Sequence, residues 1–156
     1  IEHLARLRAA QDEALSEGKG SFQVFIPLAY HPKGTELAET AGATRARFGP
    51  TGLDDLREIT VARLFLDNIP HIKTYWIQVG PGLAQVALAY GADDIDGTVV
   101  EETIYHMAGS SAPTGLTQEA LLHLILRAGL DPVERDTLYR PLILEVSAGR
   151  RYGRAG

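Results

Sequence analysis

Residues 71–98 have the sequence HIKTYWIQVGPGLAQVALAYGADDIDGT, which predicts two strands joined by a helix. The first strand is placed at 71–79, where β-branched and aromatic residues are concentrated. A short helix over 83–90 follows and is ended by Gly91, and the next strand lies within 92–98. Because the connection contains a helix, the two strands are predicted to be parallel with a right-handed crossover.

The same alternation extends towards the amino terminus. Residues 1–17 are predicted to form an amphipathic helix, and residues 21–30 to form a buried strand. Thr51 is a typical N-cap for a helix that continues to Asn68, and Pro70 is expected to stop that helix. Strands separated by crossover helices are typical of an α/β fold. Three strands are too few to close into a barrel, so the sheet is expected to need neighbours.

The carboxyl-terminal part has a different pattern. Thr117 caps an amphipathic helix over 118–128, and a docked terminal strand is predicted at 142–144. We therefore treat the chain as a single partial domain, with the βα units in 1–115 and a helix and extension in 116–156.

Composition excludes several classes of protein. The 156 residues contain no cysteine, which excludes disulfides, a thiol nucleophile and an iron–sulfur cluster held by this chain alone. The net charge of −5 provides no general electrostatic attraction for nucleic acid. No run of about 18 apolar residues is present, so no membrane partner is expected.

Functional side chains in parallel α/β folds collect just beyond the carboxyl ends of the strands. Strand periodicity places Trp76 and Gln78 on one face of the second strand. The candidate site residues at the three strand ends are His31, Trp76, Gln78, Asp93, Asp94, Asp96 and Thr98.

The aspartate cluster 93–96 is the most unusual feature, because strands disfavour Asp. One interpretation is a set of acceptors for ribose hydroxyls or for an ammonium group of a ligand. The other is caps and turn hydrogen bonds at a junction. A divalent metal is a third option, but the spacing of a calcium loop is absent, and the five histidines show no metal-ligand spacing. Trp76 is either a core residue or a stacking platform.

Six stretches resemble one enzyme family in colinear order up to about residue 140. They are FIPLAYHP at 25–32, TGLDDLR at 51–57, LDNIPHIK at 66–73, GADDIDGTVVEE at 91–102, HMAG at 106–109 and PVERDTLY at 132–139. Together they resemble the aminodeoxyfutalosine synthases, which are radical S-adenosylmethionine enzymes of the futalosine route to menaquinone. Residues 94–108 are shared more weakly with the dehypoxanthine futalosine cyclases and the deazaflavin cofactor synthases.

The resemblance implies the last three βα units of a TIM-type barrel plus a carboxyl-terminal extension. It implies a [4Fe–4S] cluster that cleaves S-adenosylmethionine to a 5′-deoxyadenosyl radical. That radical adds to 3-[(1-carboxyvinyl)oxy]benzoate, and rearrangement with loss of a carboxylate leads to 6-amino-6-deoxyfutalosine. The family's C-x-x-x-C-x-x-C motif is absent here, so the cluster is expected on a missing amino-terminal half of the barrel. We expect this chain to be inactive by itself.

The resemblance also suggests partners and roles. The expected partners are S-adenosylmethionine, a small-molecule substrate and the amino-terminal half. Position suggests Asp93 or Asp94 for ribose hydroxyls, and His31 or Gln78 for polar groups of the substrate. A cytoplasmic location is expected from the oxygen-sensitive chemistry and the lack of targeting signals. The alternatives are a sister enzyme or a non-catalytic module that depends on a partner.

Overall fold

The computed structural model describes residues 1–30, 32, 35–40, 49–99 and 115–142. Its elements, in chain order, are α1 (Glu2–Ser16), β1 (Val24–Phe25), α2 (Glu36–Thr40), α3 (Gly52–Phe65), β2 (His71–Thr74), α4 (Trp76–Val79), α5 (Pro81–Leu88), β3 (Asp94–Ile95) and α6 (Gln118–Arg127).

The three strands form one parallel sheet in the order β1-β2-β3. Val24 pairs with His71 in the first ladder, and Lys73 pairs with Asp94 in the second. Helices α2 and α3 lie between β1 and β2 in the chain, and helices α4 and α5 lie between β2 and β3. The predicted α/β organisation with parallel strands and helical crossovers is therefore confirmed.

Helix α3 begins as predicted but ends earlier. Thr51 forms a capping box with Asp54, in which Thr51 Oγ1 accepts from the Asp54 backbone N–H at 3.3 Å and Asp54 Oδ2 accepts from the Thr51 backbone N–H at 3.0 Å. The prediction that Pro70 stops the helix is wrong, because the helix ends at Phe65. Leu66 is fully buried outside the helix, and a turn from Leu66 to Ile69 leads the chain into β2.

Strand β2 is shorter than predicted. Residues 71–74 are extended, but Trp76–Val79 form a helical turn, so the placement of Trp76 and Gln78 on one strand face is wrong. The physical reason lies in Trp76 and Ile77, which are consecutive and both fully buried in the same cluster. Alternation along a strand would send them to opposite faces, whereas a helical turn allows both to pack together.

Two apolar clusters support the sheet. The first joins α1, α3, α5 and one face of β2, and includes Leu4, Leu56, Ile59, Ala62, Leu66, Ile69, Ile72, Ala87 and Ala92. The second joins α4, α5 and α6, and includes Trp76, Ile77, Ala84 and Leu121. Helices α1 and α6 were both predicted by their periodicity, and the structure confirms them.

The turn before β3 depends on a glycine. Gly91 has a φ of +111°, and a Cβ atom there would lie 2.8 Å from the Cβ atom of Arg63. This close approach lets Arg63 Nε donate to the Gly91 carbonyl oxygen at 2.7 Å. Gly91 therefore ends the α5 region, as expected, and also brings α3 against the start of β3.

The carboxyl-terminal segment folds back on itself. Arg135 and Pro141 form an isolated antiparallel bridge, and Tyr139 adopts a φ of +60° within the turn. Only Leu142 of the predicted strand 142–144 is described, and its backbone N–H donates to the Glu134 carbonyl oxygen at 2.8 Å. Among the described helices, none is long and apolar enough to cross a bilayer.

Candidate functional site

The two faces of the sheet carry different side chains. Ile72 points into the apolar cluster beneath α1 and α3. Its neighbour Lys73 points the other way, because side chains alternate along a strand. Asp94 is the register partner of Lys73 and lies on the same face. We call this side, opposite the helices, the inner face.

Asp94 is the centre of the inner face. Arg135 binds it through two hydrogen bonds, from Nε to Oδ1 at 3.1 Å and from Nη2 to Oδ2 at 2.6 Å. The Tyr139 hydroxyl donates to Asp94 Oδ2 at 2.6 Å, and Lys73 Nζ lies 3.5 Å from the same oxygen. The Asp94 side chain is only 10% exposed. Such a buried carboxylate requires this set of donors, because an unpaired buried charge is costly.

Lys73 extends this arrangement to Asp96. Its Nζ atom donates to Asp96 Oδ1 at 2.9 Å. Asp96 follows Asp94 by two residues, so it lies one step nearer the carboxyl edge of the sheet, where functional groups collect in parallel α/β folds. Within the described ranges, no donor contacts Asp96 Oδ2. We call the five residues Lys73, Asp94, Asp96, Arg135 and Tyr139 the inner-face network.

The carboxyl-terminal segment is attached to the sheet by aromatic contacts as well. The Tyr139 ring stacks on the His71 ring, with centroids 4.2 Å apart and planes inclined by 15°. The Arg135 guanidinium lies 3.9 Å from the centroid of the Tyr139 ring. Asp136 accepts hydrogen bonds from the Arg140 backbone and side chain, which hold the pKa of its carboxyl group below the ordinary value. The turn therefore presents Arg135 and Tyr139 together to Asp94.

Burial and hydrogen bonding keep both donors to Asp94, the Tyr139 hydroxyl and the Arg135 guanidinium, in their protonated forms. Burial raises the pKa of the Tyr139 hydroxyl, and its hydrogen bond to Asp94 raises it further, so the hydroxyl remains a donor at neutral pH. Burial opposes the charge of Arg135, but the hydrogen bond and the charge of Asp94 outweigh it and raise the pKa of the guanidinium. Both side chains therefore donate to Asp94 over the whole physiological range.

Asp93 belongs to a different cluster. Its carboxylate forms an ion pair with Arg63, lies 2.8 Å from His71 Nδ1 and accepts from the Ile72 backbone N–H at 2.8 Å. It precedes β3 and lies at the amino end of the sheet, while Asp94 lies within the strand. The expectation that both residues follow the strand end is therefore wrong, because β3 begins at Asp94. These contacts agree with the capping interpretation for Asp93.

The other predicted residues are dispersed. Trp76 is fully buried and donates from Nε1 to the Gly97 carbonyl oxygen at 3.3 Å, which agrees with the core interpretation. Gln78 Oε1 accepts from the Ala29 backbone N–H at 2.9 Å. Thr98 is exposed and lies outside the inner-face network. His31 falls outside the described residues.

Gln78 also lines a cavity of roughly 220 Å³ beyond the carboxyl ends of β1 and β2. Its other walls are formed by residues of the loop after β1, the start of α3 and the α4–α5 region, namely Ala29, Tyr30, Pro32, Gly49, Pro50, Gly52, Asp55, Val79 and Leu83. The structure therefore brings the ends of β1 and β2 together around one cavity. Asp96 lies just beyond the end of β3.

Sequence reasoning missed three members of the inner-face network, namely Lys73, Arg135 and Tyr139. Arg135 and Tyr139 lie 41 and 45 residues after Asp94 in the chain, so no local spacing connects them to it. The available signals were two stretches that contributed to the family resemblance: 66–73 contains Lys73, and 132–139 contains both Arg135 and Tyr139.

The side chains of this chain determine whether it can hold a metal ion or an iron–sulfur cluster. Within the described ranges, no three His, Asp or Glu side chains are arranged to hold a metal ion. The whole chain contains no cysteine, so it offers no thiolate for a [4Fe–4S] cluster. The residues of this chain therefore do not fit such a cluster.

Comparison with known proteins places the chain in a family. Residues 19–147 match the family described as the CofH/MqnC C-terminal region. The chain belongs to this family. The match extends over the sheet, the inner-face network and helix α6.

Individual relatives carry three different names. The chain is 54% identical to aminodeoxyfutalosine synthase of Thermus thermophilus over 140 residues, which are 90% of this chain and 36% of that protein. It is 38% identical to 5-amino-6-(D-ribitylamino)uracil–L-tyrosine 4-hydroxyphenyl transferase of Methanococcoides burtonii over 143 residues, 91% of this chain and 38% of that protein. It is 36% identical to cyclic dehypoxanthine futalosine synthase of Streptomyces coelicolor over 144 residues, 92% of this chain and 33% of that protein.

These comparisons confirm the resemblance to the carboxyl-terminal part of the aminodeoxyfutalosine synthases. The chain spans about a third of the length of the curated relatives that it matches.

Proposed function

We propose that this chain is the carboxyl-terminal part of a radical S-adenosylmethionine enzyme that makes 6-amino-6-deoxyfutalosine. The observation that carries the proposal is the 54% identity to an aminodeoxyfutalosine synthase over 90% of the chain, against 38% and 36% for the relatives with other names. The parallel three-stranded sheet is consistent with three βα units of a TIM-type barrel. In the proposal, the amino-terminal half of that barrel is the partner of this region.

S-adenosylmethionine, bound beside a [4Fe–4S] cluster, supplies the radical chemistry in which a 5′-deoxyadenosyl group adds to 3-[(1-carboxyvinyl)oxy]benzoate. Because this chain has no cysteine, the cluster ligands lie outside it in the proposed enzyme, and this region by itself is inactive. We propose that the enzyme acts in the cytoplasm, since its chemistry is oxygen-sensitive, and that its partners include neither nucleic acid nor a membrane.

This chain contributes one wall of the proposed site. Gln78 faces the cavity beyond β1 and β2, and Asp96 lies beyond the end of β3. Trp76 Nε1 donates a hydrogen bond to the Gly97 carbonyl oxygen, which positions the loop that carries Asp96 and Thr98. His31 and Thr98 complete the proposed set for binding substrate and S-adenosylmethionine.

Within the proposed site, Asp93 and Asp94 have a supporting role. Their carboxylates already bind Arg63 and Arg135, respectively, within the sheet. Of the three aspartates, Asp96 is therefore the one that we propose for direct contact with a ligand.

The test uses the complete gene product, purified anaerobically and reconstituted with iron and sulfide. With S-adenosylmethionine, a reductant and 3-[(1-carboxyvinyl)oxy]benzoate, mass spectrometry should detect 6-amino-6-deoxyfutalosine. Asp96→Asn should reduce its formation, while Gln118→Ala, which removes an exposed hydrogen bond to Glu134, should not. Turnover of dehypoxanthine futalosine, or of tyrosine with 5-amino-6-(D-ribitylamino)uracil, in place of the benzoate would contradict the proposed reaction.

A further inference from the structure

The inner-face network is continuous from the carboxyl-terminal segment to the carboxyl edge of the sheet. Tyr139 and Arg135 bind Asp94, Asp94 lies beside Lys73, and Lys73 binds Asp96. The side chains of Lys73, Asp94 and Asp96 are 12%, 10% and 19% exposed, so little water competes with these contacts. Lys73 therefore connects the Asp94 and Asp96 carboxylates through direct contacts.

Among the described residues, the network ends in one carboxylate oxygen that no donor contacts. Both oxygens of Asp94 accept from the Arg135 guanidinium, and Arg135 Nη1 donates to the Asp136 carbonyl oxygen at 3.1 Å. Lys73 Nζ contacts both carboxylates. Across the part of the chain that the structure describes, Asp96 Oδ2 is the carboxylate oxygen of this network that no donor reaches.

The charges of the network select the kind of donor that fits this oxygen. Lys73 and Arg135 carry two positive charges, and Asp94 and Asp96 carry two negative charges, so the network is already neutral. An ammonium group would add a third cation beside Lys73, which like-charge repulsion opposes. A neutral hydroxyl group can donate to Asp96 Oδ2 without that penalty.

We propose that Arg135 and Tyr139 are positioning residues that act through Asp94 and Lys73 to orient Asp96 towards a hydroxyl group of a bound nucleoside. This inference rests on the proposed function, since the hydroxyl groups of S-adenosylmethionine are those of its ribose. It assigns the carboxyl-terminal segment a role in ligand affinity, although Arg135 and Tyr139 hydrogen-bond to Asp94 rather than to Asp96.

The test measures the dissociation constant of S-adenosylmethionine for the complete, cluster-reconstituted gene product by equilibrium dialysis. Reductant is omitted so that no turnover occurs. The variants are Asp96→Asn, Tyr139→Phe and the double variant, with Gln118→Ala as the matched control on the exposed neighbouring surface. In Asp96→Asn, Lys73 retains the remaining oxygen and the amide nitrogen replaces the free acceptor.

We expect Asp96→Asn to raise the dissociation constant about tenfold, as for a lost hydrogen bond to a charged group. Tyr139→Phe should raise it by about three- to fivefold, because Asp94 loses one donor and the network relaxes. The double variant should bind no more weakly than Asp96→Asn alone, because Tyr139 acts through Asp96. The control should bind like the wild type.

Two results would overturn the inference while leaving the proposed function intact. One is an unchanged dissociation constant in Tyr139→Phe together with a lower melting temperature, which would show a purely structural role. The other is an additive loss in the double variant, which would show that Tyr139 and Asp96 act independently. Failure of the wild-type protein to bind S-adenosylmethionine would instead overturn the proposed function, and this inference with it.

Discussion

The two faces of strand β2 are one residue apart and are stabilised in opposite ways. Ile72 is fully buried among side chains from α1 and α3, where contact area and shape matter. Lys73 is nearly as well buried, but its surroundings are Asp94 and Asp96. The apolar face is stabilised by the removal of apolar surface from water. On the inner face, burial of the charged groups is tolerated only while every charge keeps its partner. The difference shows why loss of one side chain has different consequences on each side.

The largest expected effect tests apolar packing, in the second cluster beside the sheet. Trp76→Ala should destabilise the protein by about 3–5 kcal/mol, because it leaves a cavity where a fully buried side chain packed against Leu121 and Ala84. The measurement is urea unfolding of the complete gene product. Leu64→Ala is the matched control, since Leu64 is 79% exposed and its removal should change stability by less than about 0.5 kcal/mol. Equal losses in the two variants would contradict the assigned core.

The next effect tests the inner face. Asp94→Asn should cost about 2–3 kcal/mol, because Arg135 and Lys73 lose their shared counter-charge while remaining partly buried. Urea unfolding of this variant beside Trp76→Ala compares the loss of a buried ion-pair partner with the loss of a buried apolar side chain. Glu134→Gln, on an exposed residue of the same segment, serves as the control and should be nearly neutral. A neutral Asp94→Asn would show that the network contributes no stability.

A smaller, pH-dependent effect tests the link between the segment and the network. Tyr139→Phe should cost about 1 kcal/mol at pH 8, the value of one hydrogen bond. The folded protein raises the Tyr139 pKa above its ordinary value of 10.0, so this stabilisation is complete below pH 10 and is lost as the pH rises through the folded pKa. The difference in melting temperature between wild type and variant should therefore be smaller at pH 11 than at pH 8. A difference that grows with pH would have the wrong sign for this contact.

The smallest effect sharpens the contrast between buried and exposed charges. Arg6 and Glu2 form an ion pair in α1, but their side chains are 78% and 82% exposed. Arg6→Ala should therefore change the free energy of unfolding by less than about 0.5 kcal/mol. A loss comparable to that of Asp94→Asn would mean that burial is not what makes the inner-face network important.

Several elements could be predicted because their causes are local. The capping box at Thr51, the periodicity of α1 and the cap at Thr117 all act within one or two turns of helix. The strands were predicted at the correct places in the sequence, but the predicted strands were longer than those in the structure. An apolar run is compatible with either a buried strand or a buried helical turn, and residues 76–79 take the second form.

The candidate site was predictable only in part. Strand ends indicated Gln78 and Asp96, which lie beside the cavity and at the end of β3. The same rule grouped Asp93 and Asp94 with Asp96, although the three carboxylates have different partners in the structure. Whether an aspartate is a cap, a buried ion-pair partner or a free acceptor depends on which cations reach it, and these cations come from α3, β2 and the carboxyl-terminal segment.

Local sequence was sufficient for helices α1 and α6, for the start of α3, for the alternation of parallel strands with helices and, through its motifs, for the family. Caps, periodicity and motif residues lie close together in the chain, so their interactions require no knowledge of distant partners. Only the tertiary structure assigned Ile72 to the apolar core and Lys73 to the inner face, and joined Asp94 to Arg135 and Tyr139 across 41 and 45 residues. Such contacts form only when the sheet and the carboxyl-terminal turn meet. Burial then makes each charge depend on a partner that the local sequence does not reveal.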